Sequence, residues 1–222
     1  MEPEDPLLLN EPRLRALLRY FSAQSFNPGQ RIPHPDQRVD ELTRKTSQTF
    51  RKASVLIPVV KPSPESPSQI VLTVRSPELS SHAGQVSLPG GTREVQDTDE
   101  IMTALREAEE EIGLAPESVQ VLGRLGQILL PSGFEVTPVI GLLEPAPVLR
   151  PCPVEVHEIF TAPTSLLMTP SSYLESAMDY RGESRRILEL HYQGFRVWGA
   201  TAAILHHLAC ELESLDAVSG KA

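Results

Sequence analysis

The chain has 222 residues, of which 40% are hydrophobic and 22% charged, so it falls in the ordinary globular class and has enough apolar material for one good core. A formal net charge of −9 argues against a nucleic-acid partner, because a surface that binds a phosphate backbone needs surplus Lys and Arg. No apolar run reaches the roughly 18 residues of a membrane span, and "MEPEDPLLLN" carries acids where a leader would carry positive charge, so no membrane partner and a cytoplasmic location are expected.

Prolines, 21 in all, cut the chain into short elements. The first is a helix in "NEPRLRALLRYFSAQ", with Leu14, Leu17, Leu18 and Phe21 at helical spacing, Asn10 as N-cap and Pro12 in the first turn. It is expected to pack on the main domain, and the role of the whole extension, dimer arm or lid, is open. "NPGQRIPHPDQ" reads as loop, and "DELTRKTSQTFRKA" is ambiguous between helix and coil. From Ala53 the period changes to that of strands: "ASVLIPVV" and "QIVLTVR" are neighbours joined by the proline- and serine-rich "KPSPESPS". "SLPGGT" is a turn suited to glycine. A helix follows from about Thr98 to Ile112, with Asp97 as cap, Glu100 in the capping-box position and Gly113 just past its end. "SVQVLGRLGQILL", "FEVTPVIGLL" and "RRILELHYQ" are strand-like, and "GATAAILHHLACEL" is a closing helix with Ala202, Leu205, Leu208 and Ala209 on one stripe. The order predicts an α/β sandwich. Cys152 and Cys210 have no metal-ligand spacing and are read as reduced thiols, and no histidine is given a catalytic role.

The central helix carries the chemical signal. Ile101, Ala104, Leu105, Ala108 and Ile112 form its buried stripe, while Glu107, Glu110 and Glu111 share another face. A charge run is ordinarily a solvated face. Here, however, like charges crowd the helix C-terminal turns, where the macrodipole disfavours acids by about 0.3 to 1 kcal/mol each, and no Lys follows to offset them. A divalent cation would reverse those terms, and hard oxygen ligands suit Mg²⁺ or Mn²⁺. The bare backbone of Pro89 to Gly91 stands close enough in sequence to add a carbonyl oxygen. Both readings, solvated face and metal site, are open on physics alone.

The run from Gly90 to Leu114, "GGTREVQDTDEIMTALREAEEEIGL", resembles the Nudix box. Its second half agrees through Arg106, Glu107, Ala108, Glu110, Glu111, Gly113 and Leu114. In the first half Asp97 stands where a Glu is usual, and eight residues in place of seven separate it from Arg106. Upstream, "VLTVRSPELSSHAGQVSLPGG" is similar to the extended signature of the coenzyme A diphosphatase branch through Thr73, Arg75, Ser76, Gly84, Pro89, Gly90 and Gly91, with Leu88 for Phe and Ser80 for Arg.

The resemblance implies a Nudix-type α/β/α sandwich with a mixed sheet at residues 53–215; outside it a helical extension at 1–52 and a disordered tail at 216–222 are expected. It also implies Mg²⁺- or Mn²⁺-dependent hydrolysis of the diphosphate of coenzyme A or acyl-coenzyme A. NADH or ADP-ribose are the competing substrates, and a non-hydrolytic nucleotide-binding module is the competing class. The implied metal ligands are Glu107, Glu110, Glu111 and the Gly91 carbonyl, with Arg106 orienting the glutamates. The general base comes from the box helix or from Glu155 in a distant loop. Thr73, Arg75, Ser76, Gly84 and Gly90 are the implied substrate residues, and a homodimer is an open expectation.

Overall fold

The computed structural model describes residues 6–23, 31–46, 49–180 and 182–219. Its strands are β1 (Arg51–Val60), β2 (Gln69–Arg75), β3 (Val86–Ser87), β4 (Gly90–Thr92), β5 (Gln120–Arg124), β6 (Ile128–Leu129), β7 (Phe134–Leu143), β8 (Val156–Pro163), β9 (Leu174–Tyr180), β10 (Glu183–Tyr192) and β11 (Phe195–Trp198). Its helices are α1 (Pro12–Ala23), α2 (Gln37–Lys45), α3 (Glu100–Ile112), the single turn α4 (Thr164–Leu167) and α5 (Gly199–Ser219). An eight-stranded mixed sheet runs β3-β2-β1-β7-β5, with β4 on β1, β6 on β7 and β8 on β2, and β9 to β11 form a separate antiparallel meander. The expected mixed α/β architecture is therefore the one observed.

β1 and β7 pair in parallel along ten residues, and both are buried over most of their length, as a strand covered on two faces must be. β1 and β2 are antiparallel neighbours as expected, but they pair only at Val59↔Ile70 and Val60↔Gln69. Beyond that point they diverge, and the turn expected at "SLPGGT" bridges the gap. β3 stays with β2, Leu88 and Pro89 cross over, and β4 pairs with β1. The site described below lies at this split.

The extension packs on the main domain. Leu14 and Leu17 are fully buried in a cluster with Leu205, Leu208 and Leu212 of α5. That stripe is therefore spent inside its own chain, which fixes α1 against α5. Asn10 lies in a 3-10 turn before α1 and is not its cap; the Glu11 carbonyl accepts from Arg15 N, and the Glu11 carboxylate is buried against Ser68 N at 3.0 Å. The ambiguous segment resolves into α2, capped by Asp36, whose side chain accepts from Arg38 N and Val39 N.

Three further expectations are corrected. α5 continues through Ser219, so the expected tail does not begin at 216; residues 220–222 lie outside the described set. β8 was not anticipated, because "VHEIFTAP" lacks clean alternation; its register against β2 slips between Val74 and Arg75, passing from Val74↔Glu158 to Arg75↔Val156. β9 was likewise missed, since "LESAMDY" carries three polar residues and pairs only with β10.

Candidate active site

α3 is built as its sequence dictates at the C-terminal end. Gly113 is left-handed at φ 65°, and its N–H donates to Glu109 O at 2.9 Å, the single bond of an αL cap. Its N-cap is Asp99, whose carboxylate accepts from Met102 N at 2.8 Å, two residues later than the Asp97 expected. Ala104, Ala108 and Ile112 are fully buried against Leu56 of β1 and Val139 and Leu143 of β7, so the stripe fixes which way the other faces point. No basic side chain occupies the last turn. Its carbonyls are met from outside, by Arg150 N on Ile112 O at 2.8 Å and Cys152 N on Glu111 O at 2.9 Å.

The three box glutamates meet different surroundings. Glu111 is 3% exposed and accepts from Gly90 N at 3.1 Å. Burial pushes its carboxyl up to about 7, against the pull of the Gly90 N–H and Arg75; Glu107 and Glu155 push it further. Glu107 is half-buried against Gly91, where a Cβ would overlap its carboxylate. Its acidity is also weakened, first by burial and then by Glu110 and Glu155, with Arg106 opposing. Glu110 is largely exposed, at 57%, and is turned back to Arg106 at 3.0 Å.

Arg106 ties the site together. Its Nε and Nη2 donate to the two Asp97 oxygens at 3.0 Å each, and further bonds reach Thr92 O, Glu107 and Glu110. Asp97 is 3% exposed, accepts also from Glu94 N at 2.9 Å, and the Arg106 guanidinium holds its carboxyl down at about 2. The shorter acid, one residue further from Arg106 than the box pattern places a Glu, thus reaches a bidentate pair. Its contribution to stability is complete above the ordinary carboxyl value of 3.8 and is lost as pH falls through about 2. We expect Asp97→Asn to lower stability at neutral pH by about 2 kcal/mol. The loss should shrink between about pH 4 and about pH 2, in denaturant melts over that range. An unchanged acid limb would show that Asp97 carries no such pair.

Glu155, 44 positions from Glu111, is brought beside it. It is exposed at the mouth of β8, its carbonyl accepts from Ser76 N at 2.8 Å, and its N–H is held by Cys152 O. Arg75 lies at the slip of register between β2 and β8, and its Nη1 stands 3.9 Å from Glu111 Oε1. Gly90 has a φ of 155° and its Cα faces the Ser54 carbonyl and Val55 Cα with no room for a side chain. Thr73, another of the expected substrate residues, lies in β2 opposite Ser87 of β3. It is buried, and its hydroxyl is spent on Ser87 O and Oγ at 3.2 and 2.9 Å, so it clamps β2 to β3. Ser76 is also buried, and its Oγ accepts from Glu78 N. Gly84 turns the chain at φ 70°, with its N–H on Arg75 O.

Sequence reasoning missed the clamps around the site. Arg93 donates to Asp97 O and Thr98 O, fixing the loop that delivers Asp97, and Glu100 pairs with Arg124 of β5 at 2.6 Å. Arg124 reaches Glu100 only through the tertiary fold, and the acceptors of Arg93 are backbone carbonyls of its own loop, which carry no residue signature.

Among the described residues, no three acidic, imidazole or thiol groups converge tightly enough to enclose an ion. The donor chemistry nonetheless fits a hard divalent cation. Glu107 and Glu111 are oxygen donors whose charge is under-compensated, as their raised protonation tendency records, and they flank a glycine elbow free of side chains. Two fully expected features are thus in place, carboxylates at the Pro89 turn and an arginine that orients them, while Glu110 would have to turn from Arg106 to join them.

A conserved-domain model described as the NUDIX domain matches residues 50–163, and the chain belongs to that family. Among curated relatives it is 41% identical to the uncharacterized Nudix hydrolase NudL of Photorhabdus laumondii, over 82% of this chain and 92% of that one. It is also 41% identical to NudL of Pectobacterium atrosepticum, over 73% and 83%. Among solved structures it is similar to the Nudix hydrolase RenU from M. smegmatis, with 20% identity, a TM-score of 0.46, and 78% and 87% of the two chains covered. Nudix hydrolases act on small molecules with the help of divalent metal. No helix among the described residues is long and apolar enough to cross a membrane.

Proposed function

We infer that the chain hydrolyses the diphosphate of coenzyme A or its thioesters, giving 3′,5′-ADP and (acyl-)4′-phosphopantetheine. One observation carries this reading: Glu111 is approached by Arg75 and by Gly90 N–H, so both ends of the extended signature meet the box at one carboxylate. A site meant only for a metal would not need a guanidinium beside its ligand. A site for a metal and a polyanion does.

Glu107, Glu110 and Glu111, with the Gly91 carbonyl, would hold Mg²⁺ or Mn²⁺, which supplies charge neutralisation of the diphosphate and holds water and the leaving oxygen in place. In the reaction, water adds to one phosphorus, the bridging P–O bond breaks, and each product leaves with its own phosphate. Glu155 is the proton acceptor this geometry favours, since it is exposed, close to Glu107 and Glu111, and already anchored through its backbone. Arg106 keeps Glu107 and Glu110 aligned. Arg75 offers its guanidinium to phosphate, and Gly90 leaves room for the substrate to approach the backbone. A cytosolic location fits the same reading, because both cysteines are free.

The departures Leu88 and Ser80 lie in the substrate signature, and they make NADH and ADP-ribose the controls to run beside coenzyme A. With Mn²⁺, purified protein should release 3′,5′-ADP from coenzyme A, detected by mass spectrometry, at a kcat/KM at least about tenfold above that for either control. That margin corresponds to about 1.4 kcal/mol of transition-state preference for the 3′-phosphorylated compound. Equal or better hydrolysis of NADH or ADP-ribose would move the chain to another Nudix substrate. Binding of coenzyme A without any hydrolysis would make it a sensing module, a reading the intact set of box glutamates disfavours.

A further inference from the structure

Charge is uneven at the split between β1 and β2. Glu107, Glu111 and Glu155 act on one another there, and among the described residues the guanidinium groups of Arg106 and Arg75 oppose them. Arg106 is fully committed, with bonds to Asp97, Thr92 O, Glu107 and Glu110. Arg75 is not. Its sole ion pair is the 3.9 Å approach to Glu111, too long for a hydrogen bond, and its buried Nε has no hydrogen-bond partner among the described residues. A buried donor left without a partner keeps its desolvation cost, which an acceptor brought to it would relieve, and Arg75 lies where the register against β8 shifts. Glu111 is in the converse position: it is almost wholly buried and its other oxygen has only the Gly90 N–H.

Building on the metal-dependent reading above, we propose that Arg75 is an exchangeable counter-ion: it balances Glu111 while the site lacks metal, and a divalent cation displaces it toward the phosphate of the incoming substrate. A dication at Glu111 supplies twice the charge at shorter range than a guanidinium nearly 4 Å away, so the pair is the weaker partner in that competition. Once released, Arg75 repels the cation and has all its donors open, which favours a bound anion between them. Metal and diphosphate would then bind with positive coupling, each improving the site for the other.

The test needs no turnover. Mn²⁺ is titrated calorimetrically into the full chain without substrate, for wild type, Arg75→Gln and Arg75→Lys. Because Arg75→Gln removes the competing charge, it should bind Mn²⁺ about tenfold more tightly than wild type, while Arg75→Lys, which keeps a cation, stays close to it. The metal-free Gln variant should also melt below wild type, with the difference shrinking at saturating Mn²⁺. Unchanged or weaker Mn²⁺ binding by Arg75→Gln overturns the exchange. A second measurement uses wild type alone, so it stands even where the Gln variant fails to fold: dicarbonyl labelling of Arg75, mapped by mass spectrometry, should rise on adding Mn²⁺ and fall again with inorganic phosphate. Labelling that ignores Mn²⁺ overturns the proposal too. Failure of the underlying metal reading looks different: wild type itself then binds no Mn²⁺, or Glu111→Gln binds it as well as wild type does.

Discussion

Replacing Glu110 by Gln is expected to lower kcat by about 10²- to 10³-fold, the several kcal/mol that a correctly held metal contributes to a phosphoryl-transfer barrier. The fold should hardly notice. Glu110 is the most exposed of the three box glutamates, and its one ion pair, to Arg106 one turn earlier, is worth roughly 0.3 to 0.5 kcal/mol at such a surface position. Arg106 keeps Asp97, Thr92 O and Glu107 when that bond is lost. Removing a charge from between two other carboxylates also offsets part of the loss. The melting temperature should therefore move by no more than about 2 °C. Near-normal turnover in this variant would take Glu110 out of the metal site and leave it as a salt bridge on a helix surface. A large loss of stability would mean that the carboxylate supports the fold in a way the structure does not contain.

The two adjacent glycines of the crossover should fail in opposite ways. A Cβ on Gly90 would enter the space of Ser54 O and Val55 Cα in the neighbouring strand, and its φ of 155° is one that alanine resists. Backbone of a buried parallel pair cannot yield, so Gly90→Ala should cost about 2 to 4 kcal/mol, read as a shift in the denaturant midpoint. A Cβ on Gly91 meets only the end of the Glu107 side chain, which can rotate away. Gly91→Ala should therefore stay within about 1 kcal/mol of wild type while displacing the Glu107 carboxylate and reducing turnover by about 10²-fold, since misplacement of a catalytic group by about 1 Å has that effect. Similar stability losses in both variants, or an active Gly91→Ala, would contradict the placement of Glu107 against the elbow. The contrast matters because it separates what the glycine pair does for folding from what it does for chemistry.

The charge at the end of α3 shows how the fold resolves a conflict visible in the chain. Acids crowd the C-terminal turns with no basic residue to follow them, and the helix still ends cleanly. The carbonyls there are satisfied by Arg150 N and Cys152 N, from a segment about forty residues later. That same segment leads into Glu155 through the Cys152 carbonyl, and Glu155 in turn receives Ser76 N. The C-terminus of the box helix, the candidate base and the end of β2 are therefore one hydrogen-bonded unit.

Local order was enough for much of this molecule. The three- and four-residue spacing of Ile101, Ala104, Ala108 and Ile112 commits α3 to one buried face whatever surrounds it, and Gly113 ends it by its backbone freedom alone. The strand runs of β1 and β7 are so apolar that burial on both sides is their only good solution. The box residues and the glycine elbow belong to the same class, because their meaning lies in spacing along one segment. Tertiary structure decided the rest, where a group's role depends on a partner that sequence distance hides. Asp97 became the anchor of Arg106, and not the helix cap, because burial rewards a charge only when a complementary one is in reach, and Asp99 was free to cap. The Thr73 hydroxyl is taken up by Ser87 because Ser87 lies opposite it in the ladder. Arg75, Gly90 and Glu155 come to Glu111 because β1 and β2 part after two residue pairs and the backbone crosses between them. Periodicity reports which face a side chain takes; only the paths of the strands report what it faces.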